Sequence, residues 1–368
     1  QGLNTHCARL LEESFAPYQL NEKLVAKARA QLRSESLAAV VYRMLRDQAR
    51  NLPDYRLNTQ LGPQASLFVG GDYAIPGFYT QRGYHKLFVA QGADLVSEIL
   101  RDNWVLGEGD SLSAKDLGRL LTEMEQLYFR DYAVHWSEAI AQLNILPAAS
   151  AAQGAAQLAG LTAANSPLLQ LLLEIRENTR FAGVTEATAE AGELAEAAQG
   201  AGGKLGKAAK LATAAAEQAQ AALLKNIPDT ARKTLERRFA PLHQLLDENG
   251  AAGPELSASL QALDALQSQL ASLAHASAPE QAAFEMAKAR MGGQRDAINQ
   301  LRNSAARLPQ PLGKWLGLLA EDSWSLVLSD AYHYLNQRYR NELYASYRGA
   351  LRERYPFSAH SASDVALA

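Results

Sequence analysis

The stretch Ile75–Phe88, IPGFYTQRGYHKLF, restricts the backbone more tightly than any other part of the chain. Pro76 fixes its own φ and holds Ile75 extended, and Gly77 behind it suits the positive φ that a type II turn requires. A sharp bend is therefore expected at Pro76-Gly77. Thr80 is placed to cap a following helix, with Tyr79 and Tyr84 at the two positions that pack as a hydrophobic staple. Tyr84, Leu87, Phe88, Leu95 and Ile99 share one face of that helix, which is predicted to run to about Asp102. Gly83 is out of place there, because glycine in a first helical turn costs about 1 kcal/mol relative to alanine. Something is expected to approach the backbone at Gly83 too closely for a Cβ, either in a packed turn or at a hinge or docking point.

Elsewhere the dominant signal is a 3.6-residue period carried by alanine and leucine, in 368 residues that are 48% hydrophobic but only 7% aromatic. Asn21 caps a predicted helix over 22–32, and Ser34 a second with Leu37, Val40, Val41, Met44 and Leu45 as its stripe. Between Tyr55 and Gly71 turn residues interrupt the pattern, and two short strands joined around Gly62-Pro63 are expected. Trp104 anchors the next loop. Ser113 opens a helix to about Leu143, whose face carries Leu117, Leu120, Leu121, Met124, Leu127, Tyr128, Tyr132 and Trp136.

Ser166-Pro167 starts another helix, serine as cap and proline in the first turn. Residues 184–225 hold little large apolar surface, so a mobile loop is expected near 198–208. Helices are predicted over 229–247, with Pro241 as a kink, and over 254–274, 280–291 and 297–308. Pro311 opens a short helix, and a separate long one follows over 323–352 with Trp324, Val327, Leu328, Ala331, Tyr334 and Leu335 as its apolar face. Along it Tyr332, Tyr339, Tyr344 and Tyr347 lie among Arg338, Arg340, Arg348 and Arg352. These form either cation–π pairs and charges that offset the helix dipole, or an anion-binding patch. The fold class is mainly α: multi-domain helical bundles with a short β-hairpin near residues 55–70. The expected domains are 1–148, 149–310 and 311–368, the last a long helix and linker leading to a further domain that is cut off.

The chemistry-bearing patterns point away from catalysis. A net charge of -3 argues against a nucleic-acid surface. Cys7 is the one cysteine, so no internal disulfide or multi-cysteine metal site can form. None of the seven histidines is paired at i+4 around a glutamate, and neither a metal nor a cofactor is expected. The segment AGGKLGK fails as a phosphate loop, with Ala201 where a glycine belongs and Ala208 where a magnesium-ligating hydroxyl belongs. The longest charge-free run, Ala139 to Leu173, is broken by Asn144, Pro147, Gly154 and Pro167 and is too polar for a membrane span.

Five groups of residues recur in a familiar order: Pro76-Gly77-Phe78-Tyr79-Thr80 with Gly83-Tyr84 and Phe88; Trp104-Val105-Leu106-Gly107; Tyr128 to Trp136 (YFRDYAVHW); Ser166-Pro167-Leu168 leading to Asn178-Thr179; and Arg354-Tyr355-Pro356-Phe357. In them the chain resembles the periplasmic helical portion of the IcmF/TssM family, the large inner-membrane component of the bacterial type VI secretion system. The residues singled out, Trp136 and Trp324 among them, are read as structural.

The resemblance implies a non-catalytic periplasmic segment that helps span the envelope, excised from a protein whose membrane helices precede it. Its implied partners are a TssJ-like outer-membrane lipoprotein, a TssL-like inner-membrane protein and further copies of itself. The family's lipoprotein contact lies in an all-β C-terminal region before which this chain is expected to stop. Two other readings stay open: a periplasmic enzyme acting on peptidoglycan, and a cytosolic helical adaptor.

Overall fold

The computed structural model of the chain describes residue 23 and residues 36–89, 91–92, 95, 114–181, 229–352, 354 and 357–361. Most of the expected helix over 22–32, Ser34, Trp104, Ser113, the segment 198–208 and Tyr355-Pro356 lie outside the described residues. In chain order the elements are α1 (Leu37–Gln48), α2 (Leu57–Gln60), β1 (Phe68–Val69), α3 (Gln81–Gly83), α4 (Ala114–Gln142), β2 (Asn144–Ile145) and α5 (Ala151–Leu161). There follow α6 (Pro167–Thr179), α7 (Thr230–His243), α8 (Pro254–Ala274), α9 (Pro279–Met291), α10 (Ala297–Ala305), α11 (Leu312–Arg338) and α12 (Ala345–Ala350). Single π turns follow α3, at Tyr84–Val89, and α11, at Tyr339–Tyr344.

The chain forms two compact units. The first takes in Gln1–Ala49, Lys86–Tyr128 and Gly202–Ile227. Within it α1 buries Ala38, Val41, Tyr42 and Leu45. Its cap is Ser36, whose hydroxyl accepts the Ala39 N–H at 3.2 Å, two residues after Ser34, the serine expected to cap it. Phe88 packs on Tyr128 with ring centroids 4.7 Å apart.

The second unit takes in Arg50–His85, Phe129–Ala201 and Pro228–Ala368. Its bundle is centred on α8, where Leu256, Leu263, Leu266 and Leu270 recur three to seven residues apart and are fully buried. That face packs on α5 and α10, and α11 packs on α9 and α10. Gly154 lets α5 come close, since a Cβ there would lie 3.0 Å from a Leu270 methyl. The buried hydroxyls of Ser259 and Ser304 satisfy each other at 2.6 Å across the contact of α8 with α10. Phe284 meets Tyr334 at 5.3 Å, and the Arg290 guanidinium lies 4.5 Å over Trp324, so α9 and α11 run antiparallel.

Three expectations need adjustment. The antiparallel pair exists, but β1 pairs with β2, Phe68 opposite Ile145, and not with a strand inside 55–70. Leu57 and Leu61 are four apart, one helical turn, and both are buried from a helix; Gly62, at φ +57°, and Pro63 then lead into a 3-10 turn. The long C-terminal helix has no break before Ser323, because the Ser323 hydroxyl bonds back to the Leu319 carbonyl at 2.7 Å inside the continuous α11. Ser166 precedes α6, yet its hydroxyl donates to the Leu161 carbonyl (2.7 Å) and makes no side-chain cap.

Leu263 has no exposed surface and sits at the centre of the bundle. Leu263→Ala should therefore cost about 2–5 kcal/mol, read as a lowered denaturant midpoint with an unchanged slope.

Candidate functional site

The organising stretch becomes a corner of the second unit, and its backbone geometry differs from a type II turn. Gly77 has no positive φ; the bend runs through a 3-10 turn, Gly77–Tyr79. Glycine is needed at 77 because a Cβ would come 2.3 Å from the Pro53 carbonyl oxygen and 2.9 Å from the Leu52 Cβ. One turn on, a Cβ at Gly83 would lie 2.2 Å from the Gly77 carbonyl oxygen and 2.6 Å from that of Phe78. The two glycines are thus the points at which Leu52-Pro53, the 3-10 turn and α3 approach one another.

Thr80 ties this knot. Its buried hydroxyl donates to the Gly77 carbonyl at 2.8 Å and accepts the Gly83 N–H at 3.0 Å, capping α3. Trp136, fully buried on α4, donates its indole N–H to the Tyr79 carbonyl at 2.8 Å. Tyr79 stacks on His135 at 4.6 Å and meets Tyr132 edge-on at 6.4 Å. Tyr84 packs on Phe129 and Phe181 at 5.3 and 5.1 Å. Phe78 and Ile75 are buried beside them, and Ile75 exchanges two backbone hydrogen bonds with Tyr55.

The polar groups around the rings bond to each other. Tyr132 donates its hydroxyl to the Asn178 carbonyl, and Tyr55 donates to the Glu174 carboxylate. Burial, first of all, raises both phenols, and Glu174 raises Tyr55 further, so both remain donors. His135 bonds through Nδ1 to the Tyr73 hydroxyl at 2.9 Å, and burial lowers its pKa against the opposing pull of Asp131. His243 bonds through Nε2 to the Thr179 hydroxyl at 2.7 Å. Burial, then Arg180 and Arg176, hold it down at about 4.

Of the residues singled out from sequence, the structure brings Pro76, Gly77, Phe78, Tyr79, Thr80, Gly83, Tyr84 and Trp136 into this one cluster. Phe88 belongs to the other unit. Trp324 is half-buried under Arg290, within the bundle, and Phe357 is exposed. Trp104, Tyr355 and Pro356 lie outside the described residues. Sequence reading missed Tyr55, Glu174, Phe181 and His243. Glu174 and Asn178, one turn apart on α6, were a legible polar pair beside a leucine stripe, but nothing local connected them to Tyr55 or Tyr132.

Clefts of about 440, 360 and 480 Å³ open on the second unit, and no residue from Pro76 to Tyr84 lines any of them. Among the described residues no three His, Cys, Asp or Glu converge as a metal site would require. The corner is a cluster of packed rings whose hydroxyl, indole and imidazole groups bond to one another and to backbone carbonyls, with His243 at the edge of the cleft of about 360 Å³.

Comparison with known proteins gives the chain its relatives. Residues 1–180 match the family model described as IcmF-related, intracellular multiplication and human macrophage-killing. Over its full length the chain is 25% identical, across 378 aligned residues, to type VI secretion system component TssM1 of Pseudomonas aeruginosa. The alignment covers 33% of that protein, so the chain spans a third of its relative's length. The fold is shared with a solved type VI secretion system membrane core complex, at a TM-score of 0.58 and 20% identity over 90% of this chain and 58% of that one. It is shared too with a solved type VI membrane complex, at 0.53 and 17% identity over 93% and 56%. The resemblance to the IcmF/TssM family that the motifs carried is thus shown in sequence, and the fold is one found in solved type VI membrane complexes.

Gly83→Ala should destabilise by about 1–3 kcal/mol, because the methyl meets two carbonyl oxygens that the rest of the knot holds in place. Gly77→Ala should do the same through the Pro53 carbonyl; chemical denaturation of each variant checks both. His243 binds its proton more readily in the unfolded chain, where its pKa is about 6.5, than in the folded one, where it is about 4. Stability should therefore fall as pH drops from about 6.5 toward 4, and His243→Gln should flatten that part of the profile in urea titrations.

Proposed function

We propose that this chain is a structural, non-catalytic segment of a type VI secretion membrane-complex subunit, placed in the periplasm. There it helps join an inner-membrane anchor to an outer-membrane lipoprotein. Its partners are a TssJ-like lipoprotein, a TssL-like inner-membrane protein and further copies of the subunit. The observation that carries this reading is the corner itself: Tyr55, Tyr132 and His135 each bond to another protein group, and none of the three lines a cleft described above. An acid, base or nucleophile in service needs a substrate-facing side, and a cleft to face. Similarity to TssM1 along the whole chain supports the same role. Among the described residues no helix is long and apolar enough to cross a membrane, which agrees with a segment that stands between anchors.

The test uses the full-length subunit in a secreting cell. Glu174→Gln and His135→Gln should leave secretion within about twofold, whereas loss of a general acid or base costs about 10²–10⁴-fold. Trp136→Ala should remove the assembled complex from native gels. Loss of secretion in Glu174→Gln with assembly intact would support an enzyme instead. In a Cys7→Ser background, a cysteine replacing exposed Glu248 should react with a membrane-impermeant reagent once the outer membrane is opened; protection until lysis would favour the cytosolic adaptor. The isolated chain should elute apart from the lipoprotein in size-exclusion chromatography.

A further inference from the structure

The end of α11 leaves its bundle. Residues 337–350 are exposed on every side, yet their sequence is that of a helix meant to be covered. Leu328, Leu335 and Leu343 recur after seven and then eight residues, and Tyr332, Tyr339 and Tyr347 do the same. The extra residue falls in the π turn Tyr339–Tyr344, whose wider turn absorbs one insertion and keeps both ladders on one face. The result is a seam with leucine at one heptad position and tyrosine at the other, the pattern of a two-helix contact. It faces solvent: Tyr332 is 68% exposed, Leu343 67% and Tyr339 55%.

The first half of the seam borders a groove of about 480 Å³ between α9 and α11. Ala287 and Ala331 form a floor of small residues, with Phe284, Met291, Leu328 and Leu335 as walls. Small floor residues between two antiparallel helices leave room for a third helix to lie close. The chain carries a helix end of matching chemistry that no other helix among the described residues covers.

We propose that this face is a self-contact, in which α11 and α12 of one copy lie antiparallel against the same helices of a second. The free end of each copy then fills the groove of the other. In this register Tyr332 meets Leu343 of the second copy, Leu335 meets Tyr339 and Leu328 meets Tyr347, so every layer pairs a ring with a leucine. The charges select the direction. Asp322 and Asp330 lie in the earlier part of the helix pair and Arg340, Arg348 and Arg352 in the later part, where Arg338 and Glu342 offset each other as an ion pair. An antiparallel copy sets Arg352 level with Asp322, whereas a parallel one sets arginine beside arginine. The seam with Met291 and Tyr344 exposes on the order of 800 Å² of side chain, at about 200 Å² for each large residue. A stable interface buries about as much per partner. A two-fold axis makes the contact self-complementary. The contact deepens the scaffold reading by naming where copies meet, but it stands on this chain's own residues.

Sedimentation of the purified chain from low to high micromolar concentration should show a reversible dimer. Leu335→Glu combined with Leu343→Glu should weaken it by at least about tenfold. At concentrations low enough to leave the chain monomeric, the circular dichroism melt should not change, because both side chains are solvent-exposed in one copy. Arg352→Glu should weaken the dimer, and adding Asp322→Arg should restore it. In a Cys7→Ser background, Leu335→Cys mixed with Tyr339→Cys should form a disulfide on oxidation, and Tyr347→Cys alone should not. A monomer at every concentration, or a dimer indifferent to the two glutamates, overturns the proposal. A Tyr347→Cys homodimer overturns the antiparallel register, and a monomer that binds anionic vesicles through this helix makes the seam a membrane contact instead. None of these failures touches the scaffold reading, which is tested by secretion.

Discussion

The second unit turns on a contact with no side chain in its middle: the backbone of Gly83 resting on the carbonyls of Gly77 and Phe78. Because the two segments touch there, Thr80 can reach both, donating to one and accepting from the other. The Tyr79 carbonyl is left pointing away from α3, where the indole of Trp136 takes it. Tyr79, Tyr84, Phe129, Tyr132 and Phe181 close around that link, so α4 and α6 are fixed to the corner by rings and hydrogen bonds together. Packing at this density propagates displacement, because a ring held on several sides has no empty space in which to yield.

The bundle obeys a looser rule. Along α8 leucines supply area and Ser259 and Ser304 supply one polar link, and any comparable stripe of apolar residues would hold helices at similar distances. The corner specifies how the chain enters α3, while the bundle supplies bulk and length. The division agrees with the proposed structural role, which needs stiffness along helices and definition where they change direction.

Much of the fold could be read in advance, and the errors are instructive. Pro254–Ala274 was legible because its leucines repeat at helical spacing and Pro254 and His275 bracket them. Thr80 was legible as a cap, since capping is local chemistry. Gly77 was identified for the wrong reason: its need for glycine comes from Pro53, twenty-four residues away, and not from its own φ. The strand pair was legible as a pair, but its second strand was not. Phe68 is buried and Val69 exposed, and the strand they form pairs with Asn144–Ile145, more than seventy residues along the chain, and not across Gly62-Pro63. Serine was the least readable residue: Ser36 caps, while Ser166 and Ser323 bond backward to carbonyls.

By itself the sequence determined the helical class, most helix spans, the corner at Pro76 and the resemblance to IcmF/TssM proteins. These depend on periodicity, capping chemistry and motif order, all properties of neighbours along the chain. Only the tertiary structure decided what Gly77 and Gly83 are for, which rings and carboxylates bond to one another, and which tyrosines of the last helix lie bare. A stripe looks the same in sequence whether it is covered or not, because burial depends on what arrives from elsewhere in the chain.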